Sequence, residues 1–311
     1  MKAIVIVNPC ARSGQAQGNA ASLREDIEQR LTATGEISEV DWIDTQYPRH
    51  ATQLAQDAAK QGYGCVIAAG GDGTASEVVN GLMRSSVKPD QRPLLGVLPW
   101  GTSNDFFTAL RSAEQGAFTQ PMDVGEVHLD KLTCYSCLSV SIGLSSWANE
   151  QYQRAVPQFT RRFAHIPAVI NTLLSYKFPS KVQICIDNGP QQIKPMLFMA
   201  INNTASVAGG VRFTPDARID DRLFDVCRVA PVPPWQLAFL LLKAQLGLPL
   251  QSYDAEIVGV HDISIKAERP VPVHVDGEMV PELNSLVRRL SVHVMPAALR
   301  VLAPSILHSQ S

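Results

Sequence analysis

Apolar and polar positions follow two different rhythms along this chain. Over the first 125 residues, apolar runs at 4–7, 65–69 and 94–98 and an extended run at 39–44 are separated by stretches of helical period at 19–31, 51–60 and 74–83. Apolar strands alternating with helices predict a parallel, doubly wound sheet covered on both faces, whose ligands sit beyond the carboxyl ends of the strands. After about residue 125 the period changes to two. Residues 182–187 alternate, Asn188-Gly189 is a hairpin signal, and 191–202 reads as the return strand. Alternation resumes at Ile263 and Ile265, at Val273 and Val275, and over 290–294. This half reads as an antiparallel β-sandwich with helical exceptions near 159–175 and 234–247. The expected fold class is α/β plus β. A doubly wound α/β domain over 1–125, to which a tail from about 296 to 311 can return, precedes a β-rich domain over 126–295, with the active site in the cleft between them.

Composition sharpens this picture only modestly. A length of 311 residues suits two domains. A hydrophobic share of 45%, a charged share of 18% and a net charge of −2 argue against bulk nucleic-acid binding. Six scattered cysteines, several inside apolar runs, suggest reduced thiols in a cytoplasmic protein. Cys134 and Cys137 form a C-x-x-C with no second pair or His cluster, so no metal or redox role is expected of them. The apolar opening is too short for a signal peptide and reads as a strand. The longest apolar stretch, 235–242, is too short to span a bilayer, so any membrane contact would be at its surface.

Three loops follow predicted strands of the first domain, and all have phosphate-compatible composition. They are Asn8-Pro9-Cys10-Ala11-Arg12-Ser13-Gly14, Gly70-Gly71-Asp72-Gly73-Thr74, and Pro99-Trp100-Gly101-Thr102-Ser103-Asn104-Asp105. Gly70, Gly71 and Gly73 remove Cβ atoms where a bulky anion could approach the backbone, ahead of a helix whose first amides point at that space. Asp72 is the odd element, because a carboxylate repels phosphate unless a cation or a donor stands between them. Any one such loop is commonly a turn; three at equivalent strand ends describe a nucleotide cradle.

Gly-Gly-Asp-Gly-Thr, then Glu77-Val78-Val79-Asn80-Gly81, Gly101-Thr102-x-Asn104-Asp105-Phe106 and Met122-Asp123-Val124-Gly125 resemble the diacylglycerol kinase catalytic domain. That domain is shared by bacterial lipid kinases and by sphingosine and ceramide kinases. The match continues through Asn202-Asn203, Gly209-Gly210, 215–221, Phe224-Asp225-Val226 and Val275-Asp276-Gly277-Glu278, and the chain is most similar to the soluble bacterial branch. The resemblance implies an ATP- and Mg²⁺-dependent lipid kinase that transfers the γ-phosphoryl group to a hydroxyl of diacylglycerol or a similar lipid. Asn8, Pro9, Cys10, Ala11, Arg12, Thr45, Gly71, Asp72, Gly73, Thr74, Ala75, Ser76, Glu77 and Thr102 would contact ATP. Asp72, Asp105 and Asp123 would organise Mg²⁺ directly or through water. Glu278 would accept the proton of the attacking hydroxyl, with Asp276 beside it, although Asp-Gly is also a common hairpin turn pair.

The resemblance further implies a structural Mg²⁺ loop at Arg218, Asp221 and Leu223. There this sequence carries Arg222 where the family has glycine, which would strain a backbone of positive φ. Ser76 and Ser139 replace residues that are commonly Asn. Residues 151–181 hold Arg154, Arg161, Arg162, Lys177 and Lys181 with no acidic residue and apolar positions near helical spacing. Arg161, Arg162 and Lys177 are accordingly expected to meet anionic lipid, with an ordinary core-facing helix as the alternative. The partners implied are a lipid at the inner membrane surface, visited transiently, and in some states a second copy of the chain; nucleic acid is not among them. NAD kinase, which shares the Gly-Gly-Asp-Gly-Thr loop and is echoed by Asn149-Glu150, and a nucleotide- or lipid-binding protein without catalysis are the competing readings.

Overall fold

The structure, a computed structural model, describes residues 1–11, 20–144, 146, 180–252, 254–280 and 286–307. Strands β1 (Lys2–Val7), β2 (Glu39–Asp44), β3 (Cys65–Gly70) and β4 (Leu94–Pro99) form a parallel sheet in the order β2-β1-β3-β4. Every residue of β3 and β4 is buried, which is why both read as unbroken apolar runs rather than alternations. Helices α1 (Ala20–Ala33), α2 (His50–Lys60), α3 (Asp72–Arg84) and α4 (Asp105–Ser112) cover its faces. On one side Ala51, Ala55, Val78, Val79, Leu82 and Phe106 pack against Ile6, Val66 and Leu95. Ile27 and Leu31 close the other side over Val5, Ile67 and Leu98.

Strands β5 (Thr119–Leu129), β6 (Leu132–Ser136) and β7 (Ser139–Gly143) open the second half. β8 (Ser180–Ile186), β9 (Gln192–Met196), β10 (Phe198–Asn202), β11 (Phe224–Val229), β12 (Ala255–Val260), β13 (Asp262–Val275), β14 (Glu278–Met279) and β15 (Leu286–Leu302) complete it, with helix α5 (Pro234–Gln245) between β11 and β12. Val140, Ile142, Ile201, Val226, Ile265, Val273 and Val292 fill the core between the two layers. This is the β-sandwich that the two-residue period predicts.

Two details depart from the sequence reading. Residues 191–202 do not form one return strand. β9 pairs back onto β8, whereas β10 lies between β7 and β11 in the opposite layer. Leu197 is the corner: its N–H donates to Val229 O, and its carbonyl accepts from Leu144 N–H. The division follows the chemistry, since β9 is exposed and carries Pro195, which an edge strand tolerates, while all five residues of β10 are buried. Conversely, the alternations at 263–265 and 273–275 belong to one strand. β13 pairs with β8 and β15 in its first part and with β7 in its last, with a register shift between Lys266 and Val271.

β15 carries the chain back to where it began. Residues Leu299 to Leu302 pair with β5, and Val301 stands opposite Leu95 of β4, extending the parallel sheet. Helix α6 (Pro304–Leu307) then seats Leu307 in the core with Ile67 and Leu98.

Candidate active site

The strand-end loops lock onto one another through backbone and small side chains. Asn8, just past β1, donates from Nδ2 to Thr74 Oγ1 at 3.1 Å, while its Oδ1 accepts from Cys10 N–H at 3.0 Å. Thr45 N–H, past β2, donates to Val7 O at 2.8 Å. The glycines of the second loop prove to be demanded by protein packing. An ideal Cβ on Gly70 would stand 2.4 Å from Thr74 Oγ1, and one on Gly101 would stand 2.3 Å from Gly71 Cα. The loops after β3 and β4 therefore touch backbone to backbone. Asn104, in the left-handed region at φ 54°, closes the third loop by accepting from Gly101 N–H at 3.0 Å. Gly101→Ala is expected to force the two loops apart, lowering the unfolding free energy by ~1–3 kcal/mol; thermal melts check this.

The three aspartates expected to organise Mg²⁺ have other employment. Asp72 accepts the first amides of α4, from Asp105 at 3.2 Å and Phe106 at 3.0 Å, so it caps that helix from a neighbouring loop. Asp105, which is buried, accepts from Ser206 Oγ–H at 2.8 Å and Gly209 N–H at 2.7 Å, tying α4 to a loop of the second half. Asp123, also buried, accepts from Arg222 N–H at 2.6 Å and from Ala297 N–H at 2.7 Å, in the register shift of β15. Burial raises the pKa of both Asp72 and Asp123 against the lowering effect of these amides, with the Asp105 charge adding to the rise at Asp72. Asp123 is a structural tie between three segments. Among the described residues no three His, Cys, Asp or Glu side chains gather to hold a metal ion.

Helix α3 runs from this loop into the sandwich. Thr74, Ala75 and Ser76 are buried, and Ser76 Oγ–H donates to Asp276 at 2.7 Å. Glu77 caps α2, its carboxylate accepting from Arg49 N–H at 3.0 Å and Ala51 N–H at 3.1 Å. The side chains of Ser76 and Glu77 are thus engaged within the protein. One turn on, Asn80 pairs with Tyr135 of β6 through both its amide groups, at 2.8 and 3.0 Å.

Asp276 and Gly277, at φ 50° and 80°, form a two-residue turn between β13 and β14, where Val275 pairs with Glu278. The Asp276 carboxylate is a buried hub. It accepts from the Ser76 and Ser136 hydroxyls, from the amides of Cys137, Leu138 and Ser139 at 2.9 to 3.1 Å, and from the Cys137 thiol at 3.4 Å. These bonds fix the turn and the backbone around it. Glu278, two residues on, takes no part in that hub. A Cβ on Gly73 would lie 3.1 Å from Glu278 Oε1, which places this group directly over the glycine loop. One side of Glu278 is open to solvent. The crowding of its other side raises its pKa, reinforced by the charges of Glu77 and Asp276 and opposed by Arg49.

The expected metal loop is folded as its departure foretold. Arg222 does adopt positive φ, 69°, and is held there by the Asp123 bond and by His261 Nδ1 against its carbonyl at 3.0 Å, while the residue itself is exposed. Arg218 pairs with Asp220 at 3.2 Å, and Asp221 accepts from Leu223 N–H at 3.1 Å. Burial, then the charges of Asp221 and Asp216, push Asp225 up to about 6. Arg12, Arg161, Arg162, Lys177 and the Asn149-Glu150 pair lie outside the described residues. Thr102 is exposed beside Gly101. Arg49 is the site residue that the sequence reading passed over. Its signal was position, since it follows β2 at the same sheet edge as the three loops already singled out.

Residues 2–129 match the model of the diacylglycerol kinase catalytic domain, and residues 138–303 match that of the YegS C-terminal NAD kinase beta sandwich-like domain. The chain belongs to the diacylglycerol kinase family of lipid kinases. Its enzyme class is that of phosphotransferases with an alcohol acceptor. Among curated relatives, one from Chromohalobacter salexigens with a YegS-like lipid kinase name is 27% identical over 81% of this chain and 80% of its own. A diacylglycerol kinase of Bacillus subtilis is 28% identical over 79% and 82%. A crystal structure of a diacylglycerol kinase from Bacillus anthracis superposes with a TM-score of 0.68 at 21% identity, covering 98% of both chains. Yeast NADH kinase shares the fold at a TM-score of 0.53 and 15% identity, covering 97% of this chain and 83% of the other.

Proposed function

We propose that this lipid kinase transfers the γ-phosphoryl group of ATP to a hydroxyl of diacylglycerol or a closely related lipid, at a membrane surface that it visits peripherally. The observation that supports the reading is the placement of the Glu278 carboxylate over Gly73, where it could accept a proton beside the loop that would hold the phosphates. The loop after β3, Asn8 past β1 and the exposed Thr102 past β4 are the strand-end groups that would meet the nucleotide. Mg²⁺ would supply the charge neutralisation that phosphoryl transfer needs, and the closeness of Asp72 to Asp105 is an electrostatic deficit that a cation at the loop relieves. Among the described residues no helix is long and apolar enough to cross a membrane.

The test offers the protein Mg²⁺ and labelled ATP with diacylglycerol, monoacylglycerol, phosphatidylglycerol and sphingosine in mixed micelles, and NAD in solution. Label in a lipid supports the reading; label in NAD alone replaces it with the NAD kinase reading that the shared fold admits. Label in none, with ATP still bound, rejects both. A pH profile follows from the electrostatics. Proton acceptance needs the ionised carboxylate, and a raised pKa means that Glu278 remains protonated to higher pH. The acid limb of kcat/KM is therefore expected above the ordinary Glu value of 4.5, with activity lost as pH falls through the raised pKa. An acid limb at or below the ordinary value would place the proton acceptor elsewhere.

A further inference from the structure

Helix α5 is apolar on two opposite faces, and the fold uses only one. Leu237, Leu240 and Ala244 are buried against Phe198, Cys227 and Val229 of the sandwich. Trp235, Phe239, Leu242 and Leu246 follow at spacings of four, three and four, which brings them to the other side of the helix as a single stripe. They are 73%, 59%, 55% and 63% exposed. A row of large apolar side chains facing water marks a binding surface.

Its surroundings indicate what binds. Between Ala230 and Ser252 the only charged residue is Lys243. At the C-terminal end of the helix Arg212 N–H donates to Ala244 O at 2.9 Å, and the Arg212 side chain lies along Gly247, where a Cβ would come within 3.2 Å of its guanidinium. On the flank of the helix the carboxylate of Asp254 accepts from Gln236 at 2.7 Å. Aromatic and aliphatic groups on one face with cations at the border suit the interface of an anionic bilayer. A second copy of the chain suits it less, because one stripe of four side chains offers on the order of 400 Å², against about 800 Å² per partner in a stable dimer. The stripe is also tied to the kinase site. Ser206 and Gly209 hold Asp105, and Arg212, three residues further along the same loop, holds the end of α5.

We propose that α5 is a membrane-docking helix that inserts Trp235, Phe239, Leu242 and Leu246 into the headgroup region of an anionic lipid bilayer, bringing the kinase site to its acceptor. The inference deepens the lipid-kinase reading and rests on it. Sedimentation with phosphatidylglycerol–phosphatidylcholine vesicles tests it. The variant Trp235→Gln, Phe239→Gln, Leu246→Gln is expected to bind vesicles at least about tenfold more weakly, and to lose turnover of long-chain diacylglycerol in vesicles in proportion. Its turnover of a monomeric short-chain diacylglycerol should match the native protein. Undiminished vesicle binding overturns the proposal, as does a native dimer that the variant dissolves, which would assign the stripe to self-association. Quenching of Trp235 by brominated acyl chains keeps the test open if the triple variant misfolds. Quenching that disappears in Trp235→Phe supports insertion, and quenching that this variant leaves unchanged overturns it. If the native protein phosphorylates no lipid at all, the lipid-kinase reading fails while the vesicle and quenching results still decide whether α5 docks.

Discussion

Replacing Glu278 with Gln is expected to lower kcat by about 10²- to 10⁴-fold, the usual contribution of a positioned proton acceptor, while ATP binding is retained. The amide keeps the shape of the side chain over Gly73 and removes its capacity to take a proton. Among the described residues, the side-chain hydrogen bonds that hold the β13–β14 turn belong to Asp276. Stability should therefore change little, and steady-state rates beside calorimetric ATP titration would separate chemistry from binding. Turnover equal to that of the native protein would remove Glu278 from the reaction.

Asp276→Ala is expected to cost the fold ~3–5 kcal/mol, as the loss of a buried charge with all its partners does. Two hydroxyls, three amides and a thiol lose their acceptor at once, and the turn that aims Glu278 loses its anchor. Urea unfolding measures the first effect. Asp276→Asn separates the second from general damage: because the Asp276 charge helps raise the pKa of Glu278, its removal should move the acid limb of kcat/KM toward lower pH. A lower rate with an unmoved limb would confine Asp276 to holding the backbone.

How much of this was readable in the sequence depended on the range of the interaction. The parallel strands were legible because burial on both faces writes itself as an apolar run. The split of 191–202 was not legible, since a period of two states which face is buried and not which strand lies beside it. Motif residues were found without their purposes. Nothing near Asp276 in sequence announces that Ser136, 140 positions away, and Ser76, 200 away, donate to it. The same distance hid the glycine pair, for only the meeting of two loops shows that Gly71 and Gly101 must both lack a side chain. The exposed apolar stripe of α5 was not legible either, because exposure is something a sequence does not print.

The return of β15 bears on how this protein can be taken apart. The match to the catalytic-domain model ends at residue 129, yet the sheet holding the glycine loop is completed only by Val301 beside Leu95 and by Leu307 beneath it. A fragment cut after 129 would leave β4 as a bare apolar edge, a template for pairing with other molecules. The first half is thus not a transplantable module, and during synthesis the ribosome must deliver the chain through residue 307 before the glycine loop has a finished floor.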